Sequence, residues 1–176
     1  MKKLTIIIAM IMLFVLNNAK VESIIIPNEA IRVRIIANSN SKEDLKIKEQ
    51  LKEDIEPTIY RLLKNVTDIN KARTILKNNI DNIDIEVKRS LINQNNNTKY
   101  NVNYGLNYFP EKNFKGIIYK EGYYESLVIT IGKGEGNNWW CVLYPPLCMI
   151  EVESIENSNI EYKSYINEIL NKYLNK

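Results

Sequence analysis

From residue 30 the apolar positions alternate. Ile31, Val33 and Ile35 fall on one face and Arg32, Arg34 and Ile36 on the other, the period of a half-buried strand with its arginines on the exposed side. After the polar Asn38 to Ser41 the period lengthens. Leu45, Ile47, Leu51, Ile55, Ile59, Leu62 and Leu63 recur at near-helical spacing, and Ser41 with Asp44 three residues on approximates a capping box. A helix is therefore predicted through about Lys64, with Pro57 the point where it can kink. A second stripe, Ile69, Ala72, Leu76, Ile80, Ile83, Val87 and Leu91, starts at Thr67 or Asp68, and Asn78-Asn79 or Asp81-Asn82 is its natural break.

Asn93 to Asn97 reads as a turn, after which the period falls to two. Tyr100, Val102, Tyr104 and Leu106 alternate with Asn101, Asn103 and Asn107 until Phe109-Pro110 ends the strand. Asn113 to Gly122 reads as a loop or short edge strand. Tyr123 to Ile131 and Trp139 to Tyr144 are further strands, most simply antiparallel neighbours joined by the glycine-rich stretch between them. Pro145 and Pro146 end the last strand, since neither can donate to a ladder. Ser158 then caps a final amphipathic helix bearing Tyr162, Ile166, Ile169, Leu170, Tyr173 and Leu174. The fold class is α+β: a mainly antiparallel sheet of about four strands, two or three helices, and a C-terminal helical tail.

The N-terminus follows a different rule. Lys2-Lys3 precedes Leu4 to Leu16, almost wholly apolar, which matches a signal-peptide core and falls short of the roughly 20 residues of a spanning helix. Cleavage after Ala19 is open, although Asn17 fits the small-residue rule poorly, so residues 1–20 read as a signal peptide or an uncleaved anchor. Residues 21–29 form a lead-in, 30–155 the domain and 156–176 the tail. Of the 24 basic residues, Lys2, Lys3 and Lys20 lie in the leader; the remainder balance the 21 acidic ones. A neutral body disfavours a nucleic-acid partner, whose binding rests on surplus cations. The lack of histidine removes the usual general base and the commonest metal ligand. Two cysteines alone do not build a tetrahedral zinc site. No cofactor, metal or small-molecule substrate is expected.

The remaining chemistry is concentrated in Gly132 to Cys148. Gly132, Gly134 and Gly136 mark a loop that most side chains would forbid, and Asn138, Trp139 and Trp140 follow it. Neighbouring strand residues point to opposite faces, so one tryptophan faces the core and the other is open to a partner or to a covering helix. Arg32 and Arg34 share a face, where they hold carboxylates by fork geometry, within the fold or on a partner, unless they are simply solvated. Cys141 and Cys148 flank the two prolines. A proline-enforced reversal brings them within disulfide range outside the cytoplasm; the other reading is two small buried hydrophobes.

The run G-x-G-x-G-x-N-W-W-C-V-x-x-P-P-L-C, together with Ile31-Arg32-Val33-Arg34-Ile35-Ile36-Ala37-Asn38-Ser39, resembles the stage II sporulation protein R family. The chain departs from that pattern at Tyr119-Lys120-Glu121-Gly122, where a proline-containing turn is expected. The resemblance implies a protein exported from the forespore into the space between two membranes. There it activates a membrane-embedded aspartic protease that cleaves the sigma-E precursor; it is a ligand and not an enzyme. On this reading Arg32, Arg34, Asn38, Gly132, Gly134, Gly136, Asn138, Trp139 and Trp140 bind the partner, while Pro145 and Pro146 are structural. Membrane proximity comes through the leader or the partner. Two rival readings are a peptidoglycan-binding module that stacks a tryptophan on sugar, and a glycosidase using Glu121 with Glu125, or Glu135 with a partner acid.

Overall fold

The computed structural model describes residues 24–25, 29–114, 117–147, 168–169 and 171–172. The expected leader and Cys148 lie outside these, as does the expected tail helix apart from 168–169 and 171–172, which are helical. In chain order the elements are β1 (Ile24–Ile25), β2 (Ile31–Ile36), α1 (Lys42–Leu63), α2 (Ile69–Asn78), α3 (Ile80–Asn93), β3 (Tyr100–Phe109), β4 (Lys112–Phe114), β5 (Ile117–Tyr119), β6 (Gly122–Ile131) and β7 (Asn138–Tyr144). The helices begin and break where the pattern places them. Ser41 caps α1 by accepting from the Asp44 N–H, Asp68 caps α2 by accepting from the Lys71 N–H, and Asn79 divides α2 from α3. α1 runs on through Pro57.

The main sheet has the strand order β3-β6-β2-β7. β3 pairs antiparallel with β6, β2 parallel with β6, and β2 antiparallel with β7, so the sheet is mixed. One expectation is corrected here: β6 and β7 are not neighbours, because β2 is inserted between them. A strand apolar enough to be covered on both faces takes the centre of a sheet rather than its edge. The glycine-rich stretch therefore passes over the C-terminal end of β2 instead of closing a hairpin.

The odd positions of β2, Ile31, Val33 and Ile35, join Leu127, Ile129 and Ile131 of β6 beneath the helices. Above them lie Ile47, Leu51, Ile55, Ile59 and Leu63 of α1, Ala72 and Leu76 of α2, and Ile83, Val87 and Leu91 of α3. Burying each leucine or isoleucine contributes about 1.5–3 kcal/mol. An exposed pair such as Glu86–Arg89 contributes about 0–1 kcal/mol, so apolar packing holds the layers together.

The other face of β2 is not solvated. Arg32 is only 1% exposed, which corrects the exposed-face reading of the arginines. Part of its cover is a small sheet ordered β1-β5-β4, from which Tyr119 reaches the Arg32 guanidinium and Lys112 reaches the Trp140 ring.

Candidate partner-binding site

The segment after β2 and the loop between β6 and β7 interlock. Asn38 Oδ1 accepts from the Lys133 N–H at 3.0 Å, and Asn38 Nδ2 donates to Asp44 Oδ2 at 3.0 Å. Further loop N–H groups follow suit: Glu135 donates to the Asn38 carbonyl, Gly136 to the Ala37 carbonyl and Asn137 to Asn40 Oδ1. Asp44 also accepts from the Ser39 hydroxyl at 2.5 Å. The Ser39 bond above all holds its carboxyl below the ordinary range; burial opposes this, and the bonds involving Asn38 and Ser41 add to the lowering.

This geometry explains the glycines. Gly132 has φ +57°, and a Cβ there would collide with Asn38 Oδ1. At Gly136 a Cβ would collide with the Ser39 carbonyl oxygen. Gly134, at φ +67°, lies against Thr130. Gly132, Gly136 and Asn38 thus have an internal task, which is to fix the approach into β7.

β7 then carries the tryptophans to opposite faces by register. Trp139 pairs with Ile35 and packs on the core, with Lys52 Nζ 5.9 Å from its ring. Trp140 pairs with Arg34 on the other face, edge-on to Phe109 at 5.2 Å and beneath Lys112 at 4.9 Å. Both are half-buried. Beside Trp140, the Arg32 guanidinium lies 3.3 Å from the Tyr124 ring centre and 5.6 Å from that of Phe109, while Arg34 lies 5.7 Å from Phe109. Burial pushes both guanidiniums down from their ordinary value, and for Arg32 the neighbouring Tyr124 and Tyr119 oppose the shift. Asn138 pairs with Ile36 on this same face.

Residues 27–154 match the family model for stage II sporulation protein R. The chain belongs to that family. It is 34% identical over 135 residues to the stage II sporulation protein R of Bacillus subtilis (strain 168), an alignment covering 77% of this chain and 60% of that protein. The chain thus spans about 60% of the length of the relative it matches. No solved structure matches. Membership gives the protein a role in sporulation, within a family of signalling proteins not known as enzymes.

On this stage II sporulation protein R scaffold the acids of the glycosidase reading do not form a catalytic pair. Glu125 accepts from Arg73 Nε at 2.8 Å and from the Tyr104 hydroxyl at 2.9 Å. Burial alone would raise it, but the Arg73 and Tyr104 bonds prevail and hold it below the usual carboxylate range, the wrong direction for a general acid. Glu121 is exposed and accepts from the Tyr108 hydroxyl, and Glu135 is exposed on the loop. Among the described residues no cluster of acids or cysteines could hold a metal. No described helix is long and apolar enough to cross a membrane. Tyr144–Pro145 is a cis bond, Pro145 is buried, and the strand ends there as expected. Cys141 is half-buried against the core face, and no cysteine among the described residues is free.

Sequence reasoning missed Asp44 as the hub of the clamp, and Phe109, Tyr124 and Lys112 as the surroundings of the arginines and Trp140. Phe109 and Tyr124 come from β3 and β6, and only strand register brings them to Arg32. The isolated signal was two arginines at alternate positions of an otherwise apolar strand.

Proposed function

We propose that this protein is the forespore-exported signal that activates a membrane-embedded aspartic protease, which then cleaves the sigma-E precursor. The observation that carries the reading is the family match over residues 27–154. The clamp supports it: a rigid loop delivering Asn138 and Trp140 to a cationic face is a preformed contact surface and not a catalytic centre. Residues 1–20 act as the export leader, and in the oxidising space beyond the membrane Cys141 and Cys148 are bonded; non-reducing peptide mapping checks the bond. Activation is a population shift. Taking a receptor from 1:99 to 99:1 requires binding the active state about 10⁴-fold more tightly than the inactive one.

The test is rescue of a sporulating strain that lacks its own signal protein, read as sigma-E-dependent transcription. The full chain is expected to rescue and a chain lacking residues 1–20 to fail. Asn138→Ala and Trp140→Ala, exported and folded, are expected to rescue poorly. Equal rescue without the leader sinks the export reading, and full rescue by both substitutions sinks the surface assignment. A peptidoglycan module would need an open aromatic platform, whereas Trp140 is already flanked by Phe109 and Lys112.

A further inference from the structure

We propose that Arg32, Arg34 and Trp140 form a carboxylate-binding site, which takes the carboxylate of an acidic peptide segment. Arg32 is 1% exposed, and among the described residues its Nε, Nη1 and Nη2 meet no hydrogen-bond acceptor, the Tyr124 ring lying against the guanidinium instead. Two positions along the same strand, Arg34 leaves its Nε buried and unpartnered, and its Nη1 makes one long bond, 3.3 Å, to the Tyr108 carbonyl. Both guanidinium carbons lie under 6 Å from the Phe109 ring centre, at 5.6 and 5.7 Å, so two cations flank a single ring. The Trp140 indole N–H, on the same face, is also buried without an acceptor. Among the described residues neither arginine has an acidic partner.

The cluster lacks a counter-charge. A cation moved from water into a protein interior is strongly penalised unless it is paired and hydrogen-bonded. Cation–π contacts with Tyr124, Phe109 and Tyr119 offset part of that penalty without supplying an anion. Among the described residues donors dominate the cluster: the Tyr108 carbonyl meets only Arg34 Nη1, and Asn138 Oδ1 is buried and unpartnered. A half-turn of that amide presents Nδ2–H as one more donor.

Two positive charges and a set of N–H donors specify an anion, and the walls specify which. Planar guanidiniums match the two oxygens of a carboxylate. The rings of Phe109, Tyr124 and Trp140 suit the apolar stem that a glutamate or a chain terminus carries. Phosphate is commonly cradled by backbone N–H groups, and those of β2 are engaged in the ladders to β6 and β7. The assignment rests on the proposed function only in taking this face as the contact surface. Titration with blocked glutamate reads it without the protease, so its failure leaves that proposal standing.

The experiment uses the full chain in detergent micelles with ¹⁵N-labelled arginine, following the Nε–H signals of Arg32 and Arg34. Probes are blocked glutamate, blocked glutamine and inorganic phosphate. If the carboxylate comes from outside, blocked glutamate shifts both signals saturably, blocked glutamine does not, and Arg34→Lys weakens the response at least tenfold. If a carboxylate of this chain already occupies the site, both signals move in the ligand-free protein with an acid midpoint of about pH 4. Either outcome supports a carboxylate site and names its source. Signals that neither titrate nor respond to glutamate, or that respond to phosphate alone, overturn it. Arg32→Met removes the buried charge and abolishes the response; should it fail to fold, Arg34→Lys at the half-buried position carries the test.

Discussion

Gly132→Ala should unfold more of this protein than its small volume implies. At φ +57° an alanine sits in the left-handed region, which costs about 1–2 kcal/mol. Its Cβ also displaces Asn38 Oδ1, so Asn38 must give up its bond from the Lys133 N–H and loosen the one it donates to Asp44. Each is worth about 1 kcal/mol, bringing the total to about 3–4 kcal/mol against a typical stability of about 5–15 kcal/mol. Urea denaturation followed by tryptophan fluorescence measures this directly, since Trp139 and Trp140 follow the loop. The midpoint should fall with the slope unchanged. In an Asn38→Ala background the same glycine substitution should cost only its backbone share, giving a coupling of about 1–2 kcal/mol. Gly105→Ala is the control: nothing lies within 4 Å of its Cβ, and it should be neutral or stabilise by about 0.5 kcal/mol. A Gly132→Ala cost below about 0.5 kcal/mol, or strictly additive costs with Asn38→Ala, would refute the clamp.

Three further outcomes are expected. Glu125→Gln leaves Arg73 without its partner and should cost about 1–2 kcal/mol at neutral pH. Because the folded Glu125 carboxyl lies below its ordinary 4.5, its contribution is present above that pH and fades as pH falls through the folded value; the variant's acid limb should be flatter in pH-dependent denaturation. Asp44→Ala should lower the melting temperature at neutral pH through loss of the Ser39 and Asn38 bonds, with the gap to the parent closing as pH falls below 3.8. The Tyr104 hydroxyl is pushed well above its ordinary 10.0, first by burial and then by its bond to Glu125. Its proton is therefore held more tightly in the folded state, and stability should decline above pH 10; Tyr104→Phe should weaken that alkaline decline.

The elements were legible because each is written in local periodicity. The stripe from Ile47 to Leu63 is a helix wherever it lies, and the Ser41 and Asp68 caps are read within a single turn. What the periodicity does not encode is which strand lies beside which. β6 and β7 read as hairpin partners because they are consecutive, and that reading failed because β2, about a hundred residues earlier, fills the gap between them. The same long-range pairing accounts for the misplaced arginines. Alternating Arg32 and Arg34 with apolar residues describes a half-exposed edge, yet in a central strand those positions are enclosed, and aromatic rings from β3 and β6 close around them. The glycine motif is likewise legible without its neighbours: besides the turn closed by the Gly134 N–H on the Ile131 carbonyl, its constraint comes from the distant Asn38 and Ser39. Both corrections share one cause. Inserting β2 between β6 and β7 enlists the glycine loop to cover the end of β2, and it moves two cations from the surface to the interior. One topological fact thus produces both the rigid approach to Trp140 and the charged face on which that tryptophan lies.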